Sequence, residues 1–259
     1  MEGFPAITTP GDNESTGEGH LWILEHVEGL PLRFALRDDG RLVFGDETRR
    51  LDTRTAPPAI RPAIDTVQST FDRDVFREAV ADVSAVTFYG VATCQHRIEY
   101  DWEALPAFVG YDVHSTARGG LLTPDAADAI FERLGLSPAP AVEREVRADA
   151  VSPARYTFPE SQWADASAAG VRLADKHGWR GRLDNPDRPP EPTASFADPE
   201  TAARALVSEP HRTAFETGET VDRIRDRLAR EHRSVLSAAS VDPDTKTFRS
   251  AVAKALQQS

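Results

Sequence analysis

The stretch LWILEHVEGLPLRFALRDDGRLVFG, residues 21–45, constrains the fold more than any other part of the chain. Residues 21–27 and 31–37 read as strands. In the second, Leu32, Phe34 and Leu36 alternate with Arg33, Ala35 and Arg37, the period of a strand with one buried face. Asp38-Asp39-Gly40 supplies a hairpin turn, because Asp-Gly tolerates positive φ, and residues 41–44 form the return strand. An antiparallel sheet therefore begins early. Between its first two strands lies a polar cluster, Glu25-His26-Val27-Glu28-Gly29. Two carboxylates and an imidazole closing an apolar strand mark the place where a site would open.

Residues 58–82 read as a helical block, with Ile60, Ile64, Val67 and Phe71 recurring every three to four residues, followed by Val75, Phe76 and Val80. Strands are expected again at 85–93, 96–100 and 108–113. Thr123-Pro124 is a cap followed by a first-turn proline, Ile130, Phe131 and Leu134 give that helix its apolar face, and Gly135 stops it. A second hairpin is expected from 170–173 and 179–183, turning at Lys176-His177-Gly178. The stretch DNPDRPPEP, residues 184–192, is proline-rich and denied both helix and ladder bonds. Beyond it Val221, Ile224 and Leu228 form one helical stripe and Phe248, Val252 and Leu256 another, with Asp242-Pro243 starting the last helix. The expected class is α+β: an irregular lead-in (1–19), an antiparallel-sheet domain (20–186), a proline-rich linker (187–195) and a small helical domain (196–259).

Charge narrows the partners less than usual. The net charge is -12, and Lys176, Lys246 and Lys254 are the only lysines among 30 basic residues. Acid excess with scarce lysine resembles a high-salt, halophilic proteome, in which carboxylates hold hydration and keep the chain soluble. Attraction between charges is screened within about 3 Å at 1 M salt, so the acidity does not exclude a polyanionic partner. The single cysteine forbids an intramolecular disulfide. No apolar run approaches the ~20 residues of a membrane span, and the first twenty residues lack the basic and apolar regions of a signal peptide, so a soluble cytoplasmic protein without membrane partners is expected. Phosphate-loop, dinucleotide-fold and nucleophile-elbow motifs are missing from the sequence. Cys94 and His96 share a strand face, but a metal needs three or four ligands and no second cluster accompanies them, so core packing is expected and no metal-ligating residue is assigned. Arg223, Arg225, Arg227, Arg230 and Arg233, interleaved with acids, read as an exposed, salt-bridged helix face.

The order of several short motifs across residues 20–186 resembles that of the ATP-dependent RNA ligases of the covalent nucleotidyltransferase superfamily, as a divergent member of haloarchaeal type. Their nucleophile motif, K-x-D-G or K-x-x-G, falls on His26-Val27-Glu28-Gly29. V-F-G-D-E-T-R-R is similar to the segment that supplies an arginine near ribose and phosphates, with Arg49 the candidate. F-Y-G-V-A-T resembles F-x-G-E, and F-V-G-Y-D-V, with Phe108, Tyr111 and Asp112, resembles the aromatic segment that stacks on adenine. A-A-G-V-R-L resembles E-G-x-V-x-K, and W-R-G-R-L resembles the closing K-x-K.

The resemblance implies an ATP-grasp-like ligase domain, an ATP or AMP cofactor with Mg²⁺ or Mn²⁺, RNA or nucleotide as partner, and end joining or repair as the activity. It places His26 at the nucleophile position with Glu28 beside it. Glu25, Gly29, Arg49, Phe108, Tyr111, Arg180 and Arg182 become the candidates for nucleotide contact. Substitutions accompany the match: His26 replaces the lysine, Val91 the ribose-binding glutamate, Ala169 the metal-associated glutamate, and Arg180 and Arg182 the closing lysines. Neutral imidazole is a nucleophile near pH 7 but is shorter than a lysine stem, and arginine binds phosphate without moving protons. Two functions therefore stand side by side: a ligase-like nucleotidyltransferase, and a pseudoenzyme whose cleft binds a nucleotide or RNA end, or a protein partner, without covalent chemistry.

Overall fold

Alternation sorts the strands into two faces, and the fold follows from burying both. The structure is a computed structural model that describes residues 1–11 and 16–258. Its elements are β1 (His20–Glu25), β2 (Gly29–Leu36), β3 (Leu42–Gly45), β4 (Arg50–Leu51), α1 (Arg61–Thr70), α2 (Arg73–Ala79), β5 (Val86–Thr93), β6 (Phe108–Ser115), β7 (Gly120–Leu121), α3 (Pro124–Arg133), β8 (Ser137–Pro138), β9 (Ala141–Arg147), β10 (Gly170–Asp175) and β11 (Arg180–Asp184), then five helices. One sheet has the order β11-β10-β1-β9; the other runs β4-β3-β2-β5-β6-β7, with β8 parallel to β6. This is an antiparallel, nucleotidyltransferase-like core followed by a helical region.

Leu32, Phe34, Leu36, Phe88 and Phe108 leave the larger sheet on one side and pack against Ile64 and Val67 of α1, Phe76 of α2 and Phe131 of α3. Phe34 and Phe88 stack at 4.7 Å, with Phe71 edge-on to both. On the other side Val91, Val109 and Tyr111 meet Trp22, Leu24 and Ala169 of the smaller sheet. The two sheets thus share an apolar seam, and the chain passes between them at residues 26–28. Pairing of β5 with β6 skips Tyr111: Tyr89 lies opposite Asp112, and Gly90 opposite Gly110. This bulge turns both Tyr111 and Asp112 toward the smaller sheet.

The helical region comprises α4 (Pro199–Leu206), α5 (Glu209–Glu216), α6 (Val221–Glu231), α7 (Arg233–Ala238) and α8 (Lys246–Leu256), around Ile224, Leu228, Phe248 and Val252. It docks on the core through α6. Arg230 is buried and donates to Thr93 O (3.1 Å), Thr93 Oγ1 (2.9 Å) and Leu105 O (2.7 Å). Arg225 is buried too, against Asp226 (2.8 Å). The expected exposed arginine face is therefore only partly exposed, because α6 turns half of it inward to satisfy core carbonyls.

Three further expectations change. The helical block is two helices, since Asp72 breaks it by capping α2 through the N–H groups of Asp74 and Val75. Residues 96–100 form a loop, not a strand. The last helix starts at Lys246, capped by Thr245, beyond Asp242-Pro243. The strand β9 had no sequence signal, because its Glu143-Arg144-Glu145 centre is exposed at a sheet edge, where charge is normal.

The paired glycines are a packing requirement. A Cβ on Gly110 would lie 2.5 Å from the Phe131 ring, which is itself enclosed by the core. Gly110→Ala is expected to cost about 1–3 kcal/mol in urea unfolding, whereas Gly3→Ala, whose Cβ meets nothing nearer than 3.8 Å, is expected to be neutral.

Candidate functional site

Every backbone N–H in the crossing between the sheets has a partner. Glu25 N–H donates to Pro140 O (2.8 Å) and His26 N–H to Gly170 O (3.0 Å). Val27 N–H donates to the Tyr111 hydroxyl (2.9 Å), which itself donates to Glu25 O (3.0 Å). Glu28 N–H donates to the Tyr100 hydroxyl (3.1 Å). The Glu28 carboxylate in turn accepts from the N–H groups of His96 (3.2 Å), Arg97 (2.7 Å) and Ile98 (2.9 Å). Three backbone donors on its Oε2 fix the loop at 96–98.

The crossing opens on a cleft of about 640 Å³ lined by His26, Glu28, Gly29, Val91, His96, Arg97, Arg172, Arg182, Asp184 and Arg188, together with Phe4, Pro5, Ile7 and Thr9 of the N-terminal segment. The register of β10 on β11 sets Arg172 directly across from Arg182. Like charges directly opposite on a sheet are destabilising unless something sits between them. Arg182 finds Asp184 at 3.0 Å. Arg172 has no carboxylate partner among the described residues; its guanidinium lies 3.8 Å from the centre of the Tyr111 ring. The Arg172 Nε is buried without a hydrogen bond. His26 Nδ1 is sealed and unpartnered as well. Burial, then the charges of Arg172, Arg182, Arg188 and His96, hold the His26 pKa well below the ordinary histidine value, so its ring is neutral.

The sequence candidates separate sharply. His26, Glu28, Gly29 and Arg182 line the cleft. Arg180 does not: it is buried, with Nε 2.5 Å from Asp112 and its other nitrogens on Asp175 O, Trp179 O and Leu122 O. Four of its five N–H donors are thus spent inside the fold. Arg49 points to solvent, paired with Asp46 in the turn after β3. Phe108 is enclosed on the helix side of its sheet. Tyr111 is buried, its hydroxyl spent on the crossing and its ring covered by Arg172, so neither aromatic offers a face to a base. Glu25 is buried behind the crossing, accepting from Ser161 Oγ (2.6 Å) and Gln162 N–H (3.0 Å); burial raises its pKa against the lowering by those two bonds. His96, expected in the core, lines the cleft, its Nε2 3.8 Å from Cys94 Sγ.

Arg172, Arg97 and Arg188 were not among the candidates. Arg172 had a signal: in the expected hairpin Val171 and Leu173 flank it on the buried period, which puts it on the face of Arg182. Arg188 sits in the proline-rich stretch, where no period applies.

The donor set suits an anion. Arg172 has no carboxylate partner among the described residues and Arg182 and Arg188 share Asp184, so the guanidinium groups beside the neutral imidazole outnumber their carboxylates and favour phosphate, which Arg172, Arg182 and Arg188 would hold. A protein-bound metal fits poorly. Among the described residues no three His, Cys, Asp or Glu side chains gather, Glu28 Oε2 is taken by three backbone donors, and Asp184 is shared by Arg182 and Arg188. No helix among them is long and apolar enough to cross a membrane.

Comparison places the fold in a class. No family model matches the chain, and no curated protein matches it. Among solved structures the fold is that of the RNA-ligase nucleotidyltransferases. A Naegleria gruberi RNA ligase with PPi superposes with a TM-score of 0.51 at 10% identity, over 71% of this chain and 59% of the ligase. A mutant of a Naegleria gruberi RNA ligase with ATP and Mn gives 0.50 at 10%, over 70% and 61%. An archaeal ATP-dependent RNA ligase covers 93% of this chain and 64% of its own, at 15% identity and a TM-score of 0.48. The matches thus span less than two-thirds of each ligase.

The neighbouring arginines are expected to behave differently. Arg180→Ala leaves Asp112 buried and unpaired and is expected to cost about 3–5 kcal/mol in urea unfolding, while Arg182→Ala, partly exposed, is expected to leave stability within about 1 kcal/mol. The His26 ring is expected to stay neutral as pH falls through the ordinary histidine range. Folding then excludes a proton that the unfolded chain binds, so stability is full above about pH 6.5 and declines below it. Imidazole nitrogen NMR shifts and unfolding midpoints between pH 5 and 8 check both; a ring that protonates near its ordinary value contradicts the reading.

Proposed function

We propose that the cleft between the two sheets binds the phosphates of an adenosine nucleotide or of an RNA 5′ end, and that the chain is an RNA-ligase-like protein acting in binding rather than in covalent transfer. The observation that carries this is the pair Arg172 and Arg182, set face to face in register beside a neutral His26, with the buried Arg172 Nε unpartnered and the Arg182 Nε 3.0 Å from Asp184. A phosphate would relieve the repulsion and fill the Arg172 donor. At the positions where the resemblance puts the lysine and the two glutamates of such a transfer stand His26, Val91 and Ala169, so both carboxylates are missing and an imidazole replaces the amine. ATP, when bound, supplies the phosphoanhydride and the charge that Arg172, Arg182 and Arg188 would orient.

One observation favours a second reading. A neutral imidazole has a lone pair available, and a ligase-like step would form an N–P bond from His26 to the α-phosphate as the bond to the pyrophosphate leaving group breaks.

Calorimetric titration with ATP, AMP and pyrophosphate at high salt tests the first reading. Wild-type protein is expected to bind, and Arg172→Ala is expected to weaken binding about tenfold or more. Failure to bind any of these or 5′-phosphorylated RNA overturns it. ATP labelled at the α-phosphate separates the second reading: the expected result is no acid-labile label on wild type. Label that disappears in His26→Ala establishes transfer instead.

A further inference from the structure

The first nine residues contribute Phe4, Pro5, Ile7 and Thr9 to the lining of the cleft that holds the arginines, and they are tied to both sheets. At one end Glu2 N–H donates to Thr87 Oγ1 (3.0 Å), Glu2 O accepts from Arg33 (2.7 Å), and the Phe4 ring packs on Tyr89 with centroids 5.2 Å apart. At the other, Thr8 bridges to β11: its N–H donates to Arg180 O and its carbonyl accepts from Arg182 N–H, both at 2.9 Å. Between the ties Phe4, Pro5 and Ile7 line the cleft. Ile7 is the large apolar side chain that the described residues leave exposed, at 38%.

We infer that Phe4, Pro5 and Ile7 form the base-binding wall of the cleft, so that a nucleobase packs on this strap while its phosphates lie on Arg172 and Arg182. The inference rests on the nucleotide reading above and deepens it. The cleft is two-sided, cationic along β10 and β11 and apolar along the strap, and an inorganic anion would use only one side. A ligand that uses both carries a flat apolar group joined to phosphate. Phe108 and Tyr111 cannot supply the stacking face, since one is enclosed under the helices and the other is covered by Arg172. Ile7 is exposed and Phe4 half-buried, its ring packed on Tyr89 with the Arg33 guanidinium 5.8 Å from its centre, and both line the cleft while the backbone of Glu2 and Thr8 ties the strap down.

The test compares AMP with pyrophosphate on the full chain by calorimetric titration. Phe4→Ala is expected to weaken AMP about tenfold, the scale of one base stacked on an aromatic ring, and to leave pyrophosphate unchanged. Phe4→Trp is expected to keep AMP affinity, and retained pyrophosphate binding shows that each variant is folded. AMP affinity that is unchanged in Phe4→Ala, or that rises as it would if the strap were a plug, overturns the inference. Equal loss of both ligands also overturns it, because the strap then shapes the arginine side and does not read the base. Wild-type protein that binds neither ligand defeats the underlying nucleotide reading itself, and is recognisable as such before any variant is made.

Discussion

The hydrogen bonds that Tyr111 makes across the seam hold the molecule's two sheets in register at the point where the chain passes between them. Its hydroxyl accepts from Val27 and donates to Glu25, while Tyr100 takes the next N–H, from Glu28. A crossing buried between two sheets has no water to satisfy its backbone, so each unpaired group would cost on the order of 1–3 kcal/mol. That requirement explains the polar cluster that interrupts the apolar strand. Glu28 extends the same logic outward, since its carboxylate organises the loop that follows β5. The loop then offers Gln95 N–H to Arg230 O and Gln95 O to Ser234. The helical region thus docks on a loop that the crossing itself has ordered.

A second constraint is charge. Arg180, Arg182 and Arg172 share one face of the smaller sheet, yet their fates differ by neighbours alone. The bulge at Tyr111 swings Asp112 toward Arg180, which is thereby neutralised and buried. Two residues along the strand Arg182 reaches the cleft, and across from it Arg172 stands with only an aromatic ring for company. One bulge therefore decides which cations hold the fold together and which face the cleft.

Much of the architecture was legible because periods are local. The alternation in β2 and the Asp-Gly turn follow from side-chain chemistry within a few residues, as do the hairpin of β10 and β11 and the capped helix α3. Residues 96–100 and the strand β9 were not legible, since the first takes its shape from a carboxylate 68 residues or more away and the second hides no apolar face. The site was legible in part. Motif order led to His26, Glu28, Gly29 and Arg182, but it assigned Arg180, Phe108 and Tyr111 by position along strands, and position cannot show which way a bulge turns a side chain. The N-terminal strap carried no signal at all, because its ties are backbone bonds to strands distant in sequence.

Substitution in the cleft follows a pattern that composition alone does not explain. A chain with three lysines among 30 basic residues would be expected to write arginine wherever a cation suffices. It does so at Arg182, where the proposed phosphate contact would need charge and planar donors. At residue 26 it writes histidine instead. A third guanidinium beside Arg172 and Arg182 would add a permanent charge in a half-buried place, whereas an imidazole there sheds its proton and remains neutral. The crossing can therefore keep a polar side chain at this position without deepening the repulsion that the arginine pair already creates. On the proposed reading, the charge that holds a phosphate stands on the arginines and not on residue 26.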